Sequence, residues 1–149
     1  MFKIIKKNIA FEDVKDRVLY DKREYKDPNC ISKTILVDES NDKTEFVKRK
    51  LIMKHSIPKI LKHFLGETIE CSVFDVVKFS TKAGISHSKI HIQKIDIVID
   101  LIIRYGKDIS LDVKILKHNN VSKLTQSLII KCFTNKTIKY INSHYLEVL

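Results

Sequence analysis

At 149 residues the chain has room for one domain with a sizeable core, and 44% hydrophobic with 31% charged residues exclude a disordered or fibrous protein. Its net charge of +10 draws it to polyanions, either nucleic acid or an anionic membrane surface, without choosing between them. No run of about 18 apolar residues occurs, so no membrane-spanning helix is predicted.

The opening MFKIIKKNIAF is too interrupted by lysine for a secretory signal, and its alternation predicts a first strand. Phe11–Lys26 follows, with Phe11, Val14, Val18, Leu19 and Tyr20 set among charges and Glu12 and Asp13 near its start, the pattern of an amphipathic helix. DPNC at 27–30 is a turn. The runs ISKTILVDE (31–39) and TEFVKRKLIMK (44–54) flank SNDK and predict a hairpin. In its second strand Phe46 and Ile52 point one way, and Val47, Leu51 and Met53 the other.

Further strands are predicted at ETIECSVFDVVKFS (67–80) and around ISHSKIHIQKI, where Ile90 and Ile92 alternate with Lys89, His91 and Gln93. IDIVIDLIIRY carries the clearest signal. It sets Ile95, Ile97, Ile99, Leu101, Ile103 and Tyr105 on one face, then turns at GKD into a strand with Ile109, Leu111, Val113 and Ile115 on one face. Val121–Leu149 lacks Gly and Pro and repeats Leu124, Leu128, Cys132, Ile141, Tyr145 and Leu149 near helical spacing, predicting a long C-terminal helix.

The order predicts a single α+β domain over residues 1–149: a START-like helix-grip in which a curved antiparallel sheet of about six or seven strands packs on the long helix. Such a sheet commonly leaves a cavity beneath the helix for an apolar ligand. The cysteines, Cys30, Cys71 and Cys132, match no metal or redox spacing and read as reduced and structural.

One segment interrupts the sheet. Phe46–Gly66 holds six Lys or Arg, two His and no acid. Within it Pro58 can open a short helix and Gly66 can close it. Ile57, Ile60, Leu61, Phe64 and Leu65 form one apolar face, with Lys59, Lys62 and His63 around the rest. So short a helix must dock on something. Residue chemistry alone favours a cover docked on the sheet over a lid that also touches lipid headgroups, where each lysine would gain about 1 kcal/mol at an anionic surface.

Several blocks in order resemble the PRELI/MSF-type phospholipid transfer proteins. SKTIL at 32–36 is similar to the family's S-x-H-V-L segment and follows EYKDPNCIS, which stands where the family has a Tyr-Pro-Asn-Pro-like turn. KLIMK at 50–54 is similar to the R-L-L-x-K strand, and a proline and a hydrophobic lid ending in glycine follow it. Lys131, Asn135 and Lys139 on the last helix match a Lys-x-x-x-Asn pattern with a further lysine. The chain departs from the family at Glu24, Thr34 and Ile60, and Arg23 lies one place from the family arginine. The resemblance implies an intermembrane shuttle in the mitochondrial intermembrane space. It would hold one anionic phospholipid, phosphatidic acid or phosphatidylserine, and work with a small disulfide-bridged helical partner.

A buried phosphate needs fixed positive charge and donors. The headgroup candidates are Arg23, Lys50, Lys54, Lys131, Asn135 and Lys139. The lid and membrane-contact candidates are Ile57, Pro58, Lys59, Ile60, Leu61, Lys62, Phe64 and Leu65. Each lysine has the alternative of a solvated surface residue, and Lys50 could instead pair with Glu45 or Asp75. His87 and His91 share a strand face but have no third ligand, so neither a metal nor a cofactor is expected. No nucleophile, phosphate-loop or zinc motif predicts an enzyme. Nucleic-acid binding or an assembly or tethering role are the alternatives. The first calls for clustered strand aromatics, and Phe46, Phe74, Phe79 and Tyr105 form no such cluster.

Overall fold

Turn chemistry sets the hairpins. Asn41 Oδ1 accepts the backbone N–H groups of Lys43 and Thr44, and Asn41 N–H donates to Thr44 O at 2.9 Å, closing the 41–44 turn. Ser80 does the same at the next reversal, where its N–H donates to Ala83 O at 2.7 Å and its Oγ accepts from Ala83 N–H at 3.2 Å. The computed structural model describes residues 1–56, 59, 62 and 66–146.

The described strands are β1 (Lys3–Lys6), β2 (Cys30–Ser40), β3 (Glu45–Ser56), β4 (Thr68–Phe79), β5 (Gly84–Ile92), β6 (Ile97–Tyr105) and β7 (Ile109–Lys117). They form one seven-stranded antiparallel sheet in the order β1-β7-β6-β5-β4-β3-β2, with helices α1 (Phe11–Arg23) and α2 (Lys123–Ile141). This is the predicted α+β plan: a curved, open sheet with a C-terminal helix. No helix among the described residues is long and apolar enough to cross a membrane.

Alternation places the core. In β6, Ile97, Ile99, Leu101, Ile103 and Tyr105 are each no more than 5% exposed, and Ile109 and Leu111 meet them from β7. Ile95, predicted on the same face, instead belongs to a 3-10 turn (Gln93–Ile95) that ends at Asp96 with φ +48. Burying an aliphatic side chain of this kind stabilises the fold by roughly 1.5–3 kcal/mol. β1 pairs with β7 at the far edge, and Arg104 lies 3.8 Å from the Phe2 ring centroid.

α1 buries Val14, Val18 and Leu19, as the periodicity predicts, but ends at Arg23 and not Lys26. Asp27 draws the chain into the turn: its Oδ1 accepts Asn29 N–H at 2.8 Å and its carbonyl accepts Cys30 N–H at 2.9 Å. Tyr20, predicted to be part of the apolar face, is 60% exposed.

α2 opens at Ser122, whose hydroxyl accepts Thr125 N–H at 3.2 Å. Its buried stripe is Ile129, Phe133 and Ile141, continued by Tyr145 in a closing π-helical turn (Asn142–Leu146). The predicted stripe through Leu124, Leu128 and Cys132 is displaced: Leu124 is 71% exposed, and the other two are half-buried. Apolar residues on neighbouring stripes, Leu128, Ile129, Ile130, Cys132 and Phe133, left the sequence with two faces to choose between.

The three cysteines are free thiols, and burial pushes Cys71 up to about 12, which keeps it protonated. The predicted lid falls outside the described residues except at Lys59 and Lys62, both exposed. At its end Gly66 adopts φ +78 and donates to Lys62 O at 2.9 Å, the geometry of a glycine that closes a helical turn.

Gly84 is needed for a different reason. A Cβ there would stand 2.3 Å from two carbons of the Phe79 ring, which is itself fully buried against Phe11 and Tyr105. Gly84→Ala is expected to cost about 1–3 kcal/mol in a thermal or urea melt. An unchanged melt would show that the ring can move aside.

Candidate functional site

Five residues of β3 alternate onto the concave side of the sheet: Val47, Arg49, Leu51, Met53 and His55. The register carries two rows across the sheet from there. One reads Arg49–Asp75–Ser88–Leu101, and the next reads Leu51–Val73–Ile90–Ile99. Between these rows and the C-terminal half of α2 lies a cavity of about 680 Å³, within the size range of small-molecule sites. Leu51, Met53, Val73 and Ile90 give it an apolar wall, and Phe133 and Ile141 face that wall from α2. Its other end is polar, lined by Arg49, Asp75, Ser86 and Ser88.

At the polar end Asp75 is almost wholly buried. It accepts from Arg49 Nε at 2.8 Å and Ser88 Oγ at 2.9 Å, and Lys22 Nζ lies 3.2 Å away. Burial opposes its ionisation, but Lys22, Arg49 and Ser88 outweigh that cost and hold its pKa below the ordinary value. The preceding helical residue, Asp21, accepts the hydroxyls of Tyr140 and Tyr145, each at 2.5 Å. Burial and the Asp21 charge raise both phenols, so they remain donors. Neighbouring residues at the end of α1 therefore hold different partners: Lys22 the sheet, Asp21 the terminal helix.

The mouth opens between the turn after α1 with the start of β2 and the outer side of α2. Tyr25, Lys26, Lys33, Lys136, Lys139 and His144 line it. Lys33 Nζ donates to Arg23 O at 3.1 Å, and Lys136 Nζ donates to Ser56 O at 2.8 Å, so both ammonium groups are held by carbonyls and make no ion pair among the described residues. Lys26 and Lys139 are exposed and make no ion pair among the described residues. In all, Lys22, Lys26, Lys33, Arg49, Lys136 and Lys139 line the cavity against Asp21, Asp27 and Asp75, leaving an excess of three positive charges.

His55 lies edge-on to Phe133, with ring centroids 6.1 Å apart. Burial first, then the Lys136 charge, lowers its pKa to about 4. A histidine whose folded pKa is depressed contributes full stability above its unfolded value near 6.5, and that contribution falls as pH drops through about 4. Titration of His55 by NMR should therefore give a midpoint near 4. His55→Gln should remove an acid-side loss of up to about 3 kcal/mol. A midpoint near 6.5 would show the ring to be solvated.

Of the predicted headgroup residues, the cavity takes in Lys139 alone. Arg23 bonds Asp38 at 2.8 Å and Glu45 at 2.7 Å and does not line it. Lys50 and Lys54 have the opposite strand parity to Leu51 and Met53 and stand exposed on the outer face of the sheet. Lys50 lies there in a shallow hollow with Phe74, Lys89 and His91. Asp75 pairs with Arg49 and Lys22, not with Lys50. Lys131 and Asn135 are exposed and sit two turns and one turn before Lys139, away from the cavity. Of these six candidates, Lys139 alone reaches the mouth, where Lys26, Lys33 and Lys136 join it.

Arg49 was within reach of the sequence, because the parity that sends Leu51 and Met53 inward sends Arg49 with them. His87 and His91 lie on the outer face and pair with Asp100 and Asp96 respectively. Of the four strand aromatics, Phe79 and Tyr105 are buried, Phe46 is half-buried and Phe74 is 39% exposed beneath Lys48.

A scan against protein-family models finds no match, and neither does a search of curated proteins.

Proposed function

We propose that the chain binds one anionic phospholipid in the cavity between sheet and helix and carries it from one membrane to another. The observation that carries this reading is the joining of an apolar wall to a lysine-lined mouth in one cavity of about 680 Å³. Acyl chain laid on Leu51, Met53, Val73, Ile90 and Phe133 gains about 0.8 kcal/mol per buried CH₂. A phosphate is costly to desolvate without partners, and Lys26, Lys33, Lys136 and Lys139 supply positive charge where it would enter. The resemblance to the PRELI/MSF-type proteins supports the same reading. It adds a mitochondrial intermembrane setting, a lid over residues 57–65 and a small helical partner.

Binding is tested by filling the apolar wall. Val73 faces the cavity and is 8% exposed, so Val73→Trp puts an indole where the acyl chain would lie. Native mass spectrometry after incubation with dioleoyl phosphatidic acid should show one lipid on the wild type and none on the folded variant. Equal loading of both would place the lipid elsewhere.

A further inference from the structure

The inner end of the cavity is lined by a buried hydroxyl, that of Ser86, for which the described residues supply no hydrogen-bond partner. Ser86 Oγ and Tyr105 Oη are buried without a hydrogen-bond partner among the described residues. Ser86 is 1% exposed and lines the cavity, and Tyr105 is 3% exposed. Cross-strand register makes them diagonal neighbours, since Ser86 pairs with Ile103 while Tyr105 pairs with Gly84. A buried hydroxyl without a partner costs about 1–3 kcal/mol, and at Ser86, which lines the cavity, a bound group can remove that cost.

The charges at this end say what kind of group that is. Asp75 is matched by Arg49 and Lys22, and Asp21 is held between Tyr140 and Tyr145. Two carboxylates and two cations leave the inner end with no net charge, whereas the lysines at the mouth have no carboxylate partner within ion-pair distance among the described residues. A phosphate is favoured at the mouth. An uncharged oxygen, able to accept from or donate to a hydroxyl, is favoured inside.

We propose that Ser86 marks a subsite for an uncharged oxygen of the bound lipid, an acyl ester or a headgroup hydroxyl, while the phosphate stays at the lysines of the mouth. This rests on the reading of the cavity as a lipid site. It adds a specificity-determining residue with no charge of its own.

Ser86→Ala tests it, because deleting an unpartnered hydroxyl removes no contact of the free protein. The variant should melt at or above the wild-type temperature. Displacement of a fluorescent phosphatidic acid would be measured with dioleoyl phosphatidic acid, its diether analogue without ester carbonyls, and dioleoyl phosphatidylglycerol. Ser86→Ala should weaken binding about three- to tenfold where the oxygen is present, the worth of one buried hydrogen bond. Weakening of both ester lipids but not the diether lipid identifies the ester, and weakening of phosphatidylglycerol alone identifies the headgroup hydroxyl. Wild-type affinity in the variant for all three lipids, or equal weakening of all three, overturns the subsite while leaving the cavity reading intact. A wild type that binds none of them overturns both.

Discussion

Asp75→Asn is expected to lower folding stability by about 3–5 kcal/mol, the largest effect of any single change considered, because it leaves two buried cations facing a neutral amide. Lys22 and Arg49 keep only 11% and 10% of their side-chain surface in water, so neither can recover its hydration in place. For a chain of this size the loss corresponds to a fall in Tm of roughly 6–20 °C. The pH dependence has a definite sign. With a folded pKa below its ordinary value, Asp75 contributes stability above pH about 4 and loses it as pH falls through the lower, folded value. Urea melts of the wild type should therefore weaken on acidification below about pH 4, and the Asp75→Asn variant should show a shallower decline there. A variant within about 1 kcal/mol of wild type would mean that Lys22 and Arg49 turn outward to solvent at little cost.

The second large effect concerns binding and not folding. Lys26→Glu combined with Lys139→Glu reverses two exposed charges at the mouth. Because neither residue is packed in the core, stability should change by no more than about 0.5 kcal/mol for each. Two lost attractions of about 1 kcal/mol each, together with the new repulsion, should weaken binding of an anionic phospholipid at least tenfold. Phosphatidylcholine, with no net charge, should be affected far less. The wild-type preference for anionic lipid should also shrink as salt is raised, since exposed charges are screened over about 10 Å at 0.1 M. An unchanged anionic preference in the double variant would move the phosphate away from this mouth.

The fold was largely legible because its signals are local. Alternation in IVIDLIIRY and in β7, turn residues at 41–44 and 80–83, and acids opening α1 each decide an element without help from distant residues. The buried stripe of α2 was harder, since apolar residues occupy several of its faces and only the sheet selects Ile129 and Phe133. The site was less legible still. Asp75 sits in a strand among Phe74, Val76 and Val77, and nothing local says that it meets Lys22 and Arg49, residues 53 and 26 positions away. Lys50 and Lys54 show the opposite difficulty. Matching them to a family pattern made them candidates, while strand parity, already visible in Leu51 and Met53, turns them to the outer face. Lys26 and Lys33 come to the mouth through the turn that Asp27 closes, a geometry that composition does not reveal.

The most direct test of the central claim is transfer of labelled lipid between donor and acceptor vesicles, with phosphatidic acid, phosphatidylserine and phosphatidylcholine run in parallel. Wild type, Val73→Trp and the Lys26→Glu/Lys139→Glu variant would be compared. The expected result is selective transfer of anionic lipid by the wild type, lost when Val73→Trp fills the cavity and at least tenfold slower when the mouth is reversed. Transfer of no lipid by the wild type, or undiminished transfer by Val73→Trp, would contradict the claim that this cavity carries a phospholipid.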